Sequence, residues 1–467
     1  MRAGRGHWIR VLSPLILGLL LWWQTPPVGV TQQAWHLLVV FVSTIVGIIA
    51  APLPMGAVAL LGVVASVVTH TLTIEQALFG FGNKVIWLIV TSFMIARGFI
   101  KTGLSSRIAY LFVSRVGKST LGLSYGLLAT DLVLAPAIPS NTARAGGVIY
   151  PIALSLRDIY KDKDSDDSVG AFILKTAFQG NLITSAMFLT AMAANPLAAQ
   201  LARDLGVEIN WTTWAVGAAL PGLVSLVLVP LLLYKLCPPA ITKTPDAAEM
   251  ARQKLKDMGA MTRVEKIMLV VFCLMLCLWM FGKQLAFHST TTALVGLSLL
   301  LVTGVLTWQD VCQEKEAWNT LVWFAALVMM ASFLNKLGFI PWFSETMGRQ
   351  LGGFHWFPAF IGLTLIYFYS HYLFASNTAH VSSMYAPFLG VAIAVGAPPL
   401  VSALVLGYFS NLFSGCTHYG CGAAPIFFGA GFLPTGRWWR VGWVVSVVNV
   451  VIWLGVGGLW WRLLGYW

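Results

Sequence analysis

The chain has 467 residues, 58% of them hydrophobic and only 10% charged, with a mean hydropathy of +0.79. A soluble domain carries roughly a quarter of its residues as charged side chains, so this composition excludes a soluble globular enzyme. The formal net charge of +12 would suit nucleic acid, but the basic residues sit in short loops between apolar runs, where they act as topology signals, and no nucleic-acid partner is expected.

The N-terminal MRAGRGHWIR and the apolar run to Trp23 have the charge order of a signal peptide. QTPPVGV follows where a small-residue cleavage site would stand, so the segment reads as a retained first span. Crossing the hydrocarbon takes about 20 apolar residues. Such runs lie near 11–25, 33–50, 54–72, 84–100, 170–200, 213–235, 267–281, 291–307, 319–334, 398–432 and 441–462. The expectation is an all-α polytopic membrane protein with about 11 transmembrane helices. The most basic loops are the N-terminus (Arg2, Arg5, Arg10), 101–119 (Lys101, Arg107, Arg115, Lys118) and 236–266. Placing all three in the cytoplasm, N-terminus included, alternates correctly with the spans. Segment 246–258 reads as an amphipathic helix on the cytoplasmic surface or a solvated loop helix, and the acidic KDKDSDD at 161–167 as a solvated turn. Trp22, Trp23, Trp438, Trp439, Trp460 and Trp461 read as interfacial belts. The six cysteines show no metal or redox spacing.

Two apolar segments are interrupted by the same polar triplet. Ser140-Asn141-Thr142 and Ser376-Asn377-Thr378 lie 236 positions apart, each followed by Ala and then by Arg144 or His380. Upstream, 85–104 resembles 320–339, with Lys101-Thr102-Gly103 over Lys336-Leu337-Gly338. Self-similarity at half the chain length marks an internal duplication. Segments 120–156 and 356–390 are expected to enter the membrane and turn back as two re-entrant hairpins. An odd number of spans between them makes the repeat inverted. The expected organisation is 1–75 scaffold helices, 76–235 first repeat, 236–266 cytoplasmic loop, 267–310 scaffold helices and 311–467 second repeat.

Backbone that turns inside a membrane must be satisfied by protein or line a watery cavity. Small hydroxyl and amide side chains meet that need and still offer donors to a guest, while the helix N-termini created by the turn favour anions. Two such tips suit a molecule with a carboxylate at each end; the alternative is that the triplets merely cap turns. Arg144 and His380 stand one turn past the triplets and, with Lys175 and His371, are candidates to compensate substrate charge, or else to pair internally. Asp131 reads as a partner for Arg144 or a solvated group rather than a substrate contact. An anion channel would need rings of charge and continuous wetting. Catalysis by Ser376 and His380 lacks an orienting carboxylate, so no enzyme is expected.

The segments LAPAIPSNTARAGGVIYPI at 134–152, FLTAMAANPLA at 188–198, HYLFASNTAH at 371–380 and GFLPTGRWWRVG at 431–442 together resemble the divalent anion/sodium symporter family. The likeness is strongest to its branch of 2-oxoglutarate/malate translocators and citrate/succinate antiporters. It implies a homodimer with a scaffold and a moving transport part, elevator-type alternating access, and substrate held by Ser140, Asn141, Thr142, Ser376, Asn377 and Thr378. It also implies sodium sites behind the tips, near Ser140, Asn141, Thr184, Asn377 and Thr417, closed by unwound stretches at 184–196 and 414–425; no other cofactor is expected. His418 follows Thr417 where related sequences have a Thr-Pro pair, and it joins Arg144 and His380 as a charge-compensating candidate. The resulting expectation is a bacterial inner-membrane carrier, in contact with lipid, for di- or tricarboxylates of the 2-oxoglutarate, malate, succinate or citrate class. Exchange is the favoured mode, with sodium-coupled symport as the alternative.

Overall fold

The computed structural model describes residues 5–164, 167–282, 284–285, 287–351, 353, 355–374 and 376–467. Arg2 of the basic N-terminus and Ser165 and Asp166 of the acidic turn lie outside the described residues. The described chain is helical, and within it the one β-type contact is an isolated bridge between Ser119 and Lys243.

Three helices open the chain, α1 (Arg5–Trp22), α2 (Gln32–Ala50) and α3 (Met55–Val68), before a short α4 (Ile74–Leu78). Then come α5 (Lys84–Thr102) and α6 (Leu104–Val116), and a hairpin whose first arm is α7 (Thr120–Leu134). Its second arm, α8 (Asn141–Arg144), runs through a π-turn at 145–149 into α9 (Tyr150–Asp158). The next apolar run is broken into α10 (Ser168–Met187) and α11 (Ala194–Asp204), and α12 (Trp211–Leu236) closes the half. A linking group follows: α13 (Pro245–Asp257), α14 (Arg263–Met280), α15 (Ser289–Val302) and α16 (Trp308–Gln313). The opening order then recurs as α17 (Lys315–Lys336), α18 (Phe339–Leu351), a hairpin of α19 (Trp356–Ser370) and α20 (Asn377–Ala394), and a run broken into α21 (Pro399–Leu412) and α22 (Ala424–Phe428). The chain finishes with α23 (Thr435–Val451) and, past a second π-turn, α24 (Gly457–Leu463).

The aligned Gly103 and Gly338 have φ of +77° and +86° and sit between α5 and α6 and between α17 and α18. A left-handed residue ends a helix without strain only when it lacks a Cβ, so matching sequence produces matching corners in both halves.

Among the described residues five helices are long and apolar enough to cross a membrane, Gln32–Ala50, Lys84–Thr102, Trp211–Leu236, Lys315–Lys336 and Thr435–Leu463, and five shorter apolar helices accompany them. The runs expected as spans at 170–200 and 398–432 are broken helices. The first unwinds only over 188–193, a shorter stretch than 184–196, because Thr184 stays within α10. The second unwinds after a 3₁₀ turn at 413–415. α10 is buried from Val169 to Met187 and α21 from Val401 to Leu412. The two pack together between α7, α12 and α20, so the polar residues they carry face protein.

The 236–266 segment is built into the protein. The buried face of α13 is Ala247, Ala248 and Ala251, and it rests on α6. Small side chains allow that close approach; an apolar face for lipid is not what this helix presents. Thr244 Oγ1 donates to the Gly117 carbonyl at 2.9 Å, and Arg107 spans Glu265 (Nε–Oε1 2.7 Å) and the carbonyls of Met258 and Gly259.

Gly442 of α23 lies on the break in α21: a Cβ there would sit 2.5 Å from the Gly415 carbonyl oxygen and 2.7 Å from Cys416 Cα. Overpacking of this kind costs about 1–3 kcal/mol. Gly442→Ala is expected to lower the unfolding temperature in detergent, whereas Gly436→Ala, with open space at its Cβ, leaves it unchanged.

Candidate substrate site at two hairpin tips

Pro136 and Pro139 cannot continue α7 because each lacks an N–H and restricts the residue before it. The chain therefore turns over 135–140, buried apart from half-buried Ser140. Ser140 caps the returning helix, its Oγ accepting from Ala143 N at 3.1 Å. Ser376 does the same for α20, accepting from Ala379 N at 3.4 Å. Both serines are extended, with φ/ψ of −134°/111° and −142°/125°, the geometry of an N-cap.

The asparagines differ. Asn141 Oδ1 accepts from Thr142 N at 2.8 Å, while its Nδ2 is buried with no partner. Asn377 Nδ2 donates to the Ser410 carbonyl at 3.2 Å and lies 3.4 Å from Met192 Sδ, and its Oδ1 accepts from Ser414 Oγ at 3.1 Å. Thr142 abuts Gly422, where a Cβ would stand 2.5 Å from Thr142 Oγ1. Each tip thus touches the break of the other half. Asn411 Nδ2 to Asn195 Oδ1, at 2.8 Å, joins the two broken helices directly, and Gln179 Nε2 donates to the Gly415 carbonyl at 2.7 Å.

A cavity of about 680 Å³ opens beside the first tip, with Ser140, Thr142 and Ala143 in its wall. Ser376, Asn377 and Thr378 do not line it. A second cavity, of about 580 Å³ between α1, α2 and α3, is apolar and is lined by neither triplet.

Arg144 is fully buried, and its charge is answered inside the protein. Its Nε donates to Asp131 Oδ1 at 3.1 Å, Nη1 to the carbonyls of Ile138 and Ala191 at 2.7 and 2.6 Å, and Nη2 to Ser185 Oγ at 2.6 Å. Asp131 also accepts from Asn181 Nδ2 at 3.2 Å and from the Thr184 hydroxyl. Of the two roles left open for Arg144, the structure has the internal pair with Asp131: the guanidinium ties the tip at Ile138 to the break at Ala191.

His380 is fully buried among Tyr367, Phe374 and Phe413, with ring centroids 4.6, 4.8 and 4.8 Å away, and its Nε2 shares a 3.1 Å hydrogen bond with Ser370 Oγ. His371 stacks on Phe413 at 3.7 Å, and its Nε2 donates to the Gly420 carbonyl at 2.6 Å. His418 is half-buried, Nδ1 accepting from Trp439 Nε1 at 3.0 Å. Lys175 Nζ lies 3.5 Å above the Trp438 ring. None of these four has an ion pair among the described residues. Thr417, with its buried hydroxyl unpartnered, sits in the second break.

The amides and hydroxyls that hold the breaks, Gln179, Asn181, Ser185, Asn195 and Asn411, escape the triplet argument. A signal for three of them exists: Asn181-Leu182-Ile183-Thr184-Ser185 parallels Asn411-Leu412-Phe413-Ser414-Gly415, a further landmark of the duplication. The family model described as the sodium:sulfate symporter transmembrane region matches residues 5–467. The chain belongs to that family of divalent anion/sodium symporters.

Several of its curated relatives carry transporter names. YflS of Bacillus subtilis (strain 168), provisionally named a malate transporter, is 56% identical over 100% of this chain and 99% of its own length. Dicarboxylate transporter 1 of spinach (Spinacia oleracea) chloroplasts is 51% identical over 98% of this chain and 81% of its own. The Escherichia coli (strain K12) inner membrane protein YbhI is 36% identical over 97% and 96%. Two solved structures share the fold at 12% and 13% identity: the Alcanivorax borkumensis YdaH transporter (TM-score 0.54, 98% of this chain and 97% of that one) and Neisseria gonorrhoeae MtrF (TM-score 0.58, 98% and 95%).

Within this family member the Asp131–Arg144 tie is expected to behave as a unit. Removing one partner of a buried pair costs about 3–5 kcal/mol because the other charge is stranded, while replacing both can be nearly neutral. Asp131→Asn and Arg144→Gln should each sharply lower the unfolding temperature of the purified protein, and the double variant should recover much of it. Additive losses would show that the two do not act together.

Proposed function

We propose that the protein is a secondary active carrier that exchanges dicarboxylates of the malate, succinate and 2-oxoglutarate class across the bacterial inner membrane, with tricarboxylates such as citrate the less favoured substrates. The observation that carries this reading is the pairing of two identically capped tips against two broken helices, one tip holding a buried, unpartnered amide donor at Asn141. Each triplet would receive one carboxylate, with backbone N–H groups and hydroxyls as donors. The names of the relatives in B. subtilis and spinach chloroplasts support the substrate class. The tips are read as re-entrant hairpins of an inverted repeat. They would move against the scaffold of a homodimer in an elevator manner, with the N-terminus in the cytoplasm.

Exchange is favoured over sodium coupling by the donor set of the first half. A sodium ion behind that tip would need oxygen ligands. Arg144 engages the carbonyls of Ile138 and Ala191 and the Ser185 hydroxyl, and Asp131 engages that of Thr184. Of the side chains around that tie, Asn181 keeps a buried oxygen, Oδ1, without a donor, and one such oxygen beside a guanidinium is a poor fit for the ion. An empty site also leaves Asn141 Nδ2 without a partner, which costs free energy in a dry interior; a carboxylate removes the cost, so reorientation with substrate bound is the easier step. Symport remains the second reading because the second half has oxygen atoms free: Thr417 Oγ1 and Asn411 Oδ1 are buried without donors, and they would hold a cation, supplying positive charge beside the second tip.

In proteoliposomes, uptake of labelled malate should require internal dicarboxylate and proceed without sodium. Strict sodium dependence with no need for internal substrate would favour symport. Asn141→Ala and Asn377→Ala should each weaken uptake at least tenfold, since a hydrogen bond to a charged group is worth about 1.5–3 kcal/mol. Wild-type kinetics in both folded variants would refute the two-tip site.

A further inference from the structure

We propose that Arg97 binds one carboxylate of the dicarboxylate arriving through the cavity beside the first tip, and that Glu314 and Glu316 limit substrate charge there, favouring dianions over trianions. This rests on the carrier reading above and names the selectivity of the same site.

The cavity has two unlike walls. Ser140 and Thr142 form one; Arg97 and Lys101 of α5, Asp310 of α16, and Glu314 and Glu316 at the start of α17 form the other. Its volume of about 680 Å³ is that of a small-molecule site. Two of the five charges are committed to each other. Lys101 Nζ lies 2.6 Å from Asp310 Oδ2, and the same oxygen accepts from Thr307 N and Oγ1, each at 2.8 Å. The Lys101 hydrogen bond and the Thr307 donors hold the Asp310 carboxyl well below the usual carboxylate range.

Arg97 is held far more loosely. Its contacts are 3.4 Å to Asp310 and 3.5 Å to Glu314, at the outer limit of a hydrogen bond, and its side chain is 34% exposed. A guanidinium with free donors fits a carboxylate in bidentate fashion. At the position of Arg97 in the second repeat stands Ser332, whose hydroxyl donates to Asp204 at 2.6 Å. The arginine is therefore no shared requirement of the repeated scaffold, and it marks one face of the carrier only.

With Lys101 and Asp310 cancelling, the wall presents one cation and two carboxylates. A dicarboxylate bridging Arg97 and the Ser140–Thr142 tip has both ends satisfied. A third carboxylate would meet half-buried Glu314 and exposed Glu316, whose like charge opposes it.

The full-length protein in malate-loaded proteoliposomes tests this by uptake of labelled malate and citrate near neutral pH. Arg97→Gln should raise the half-saturation for malate about tenfold with a smaller change in maximal rate, and Arg97→Lys, which keeps the charge but not the fork, should restore part of the affinity. Glu316→Gln, at an exposed position, should raise the citrate-to-malate uptake ratio roughly threefold or more, and Glu314→Gln/Glu316→Gln further. An unchanged ratio in the folded Glu316→Gln protein, or an unchanged malate half-saturation in Arg97→Gln, overturns the assignment while the carrier reading stands. A loss in Arg97→Gln that Arg97→Lys fails to restore also overturns it, as a packing effect. No malate uptake by the wild-type protein would overturn the carrier reading and this assignment together.

Discussion

The centre of this protein depends on how backbone that leaves a helix in an apolar interior keeps its hydrogen-bonding groups satisfied. Each unsatisfied peptide group there costs several kcal/mol, and two tips and two breaks release many of them at once. Side chains meet the demand. Ser140 and Ser376 cap the returning helices; Arg144 serves the carbonyls of Ile138 and Ala191; Asn195 serves those of Ser185 and Phe188. In the second half Asn377, Gln179 and His371 serve the carbonyls of Ser410, Gly415 and Gly420. The polar residues buried in α10 and α21 are what make a non-helical centre affordable within such an apolar chain.

The two halves answer the same demand with different chemistry. The first uses a full charge and its counter-charge, Arg144 with Asp131; the second uses neutral amides, hydroxyls and an imidazole. A guanidinium carries several donors in a rigid plane and stays protonated, so it can hold a tip and a break together in one arrangement. The neutral set leaves Thr417 Oγ1 and Asn411 Oδ1 without donors, against Asn181 Oδ1 in the first half, and this difference is what favours the second tip in the proposal of a cation site.

Much of this was legible in the chain. The repeated triplets located both tips, and the family resemblance implied the two breaks. What a charge at membrane depth does was not legible. Arg144 read equally as a substrate contact or a partner for Asp131, because its other partners, Ser185 and Ala191, lie 41 and 47 residues away in sequence and only the packing of α10 against α7 brings them in. The length of the first break was overestimated because Thr184 looks like a break residue, while its hydroxyl is engaged by Asp131 from within the helix. α13 read as either an interfacial amphipathic helix or a solvated loop helix, because periodicity does not distinguish the two; the seating of its alanines on α6 shows only in the packing.

The same reasoning separates Arg97 from Arg144, two arginines that composition treats alike. Arg144 has every nitrogen of its fork engaged by protein acceptors at 2.6–3.1 Å, so little is left for a guest, and its removal would be felt as instability. Arg97 has long contacts and an open side towards the cavity, so its removal would be felt as affinity. An arginine near a binding tip is thus assigned by its unmet hydrogen-bonding capacity more than by proximity, and by that measure the cationic contact for an incoming anion stands on α5 while the cation nearest the triplet serves the architecture.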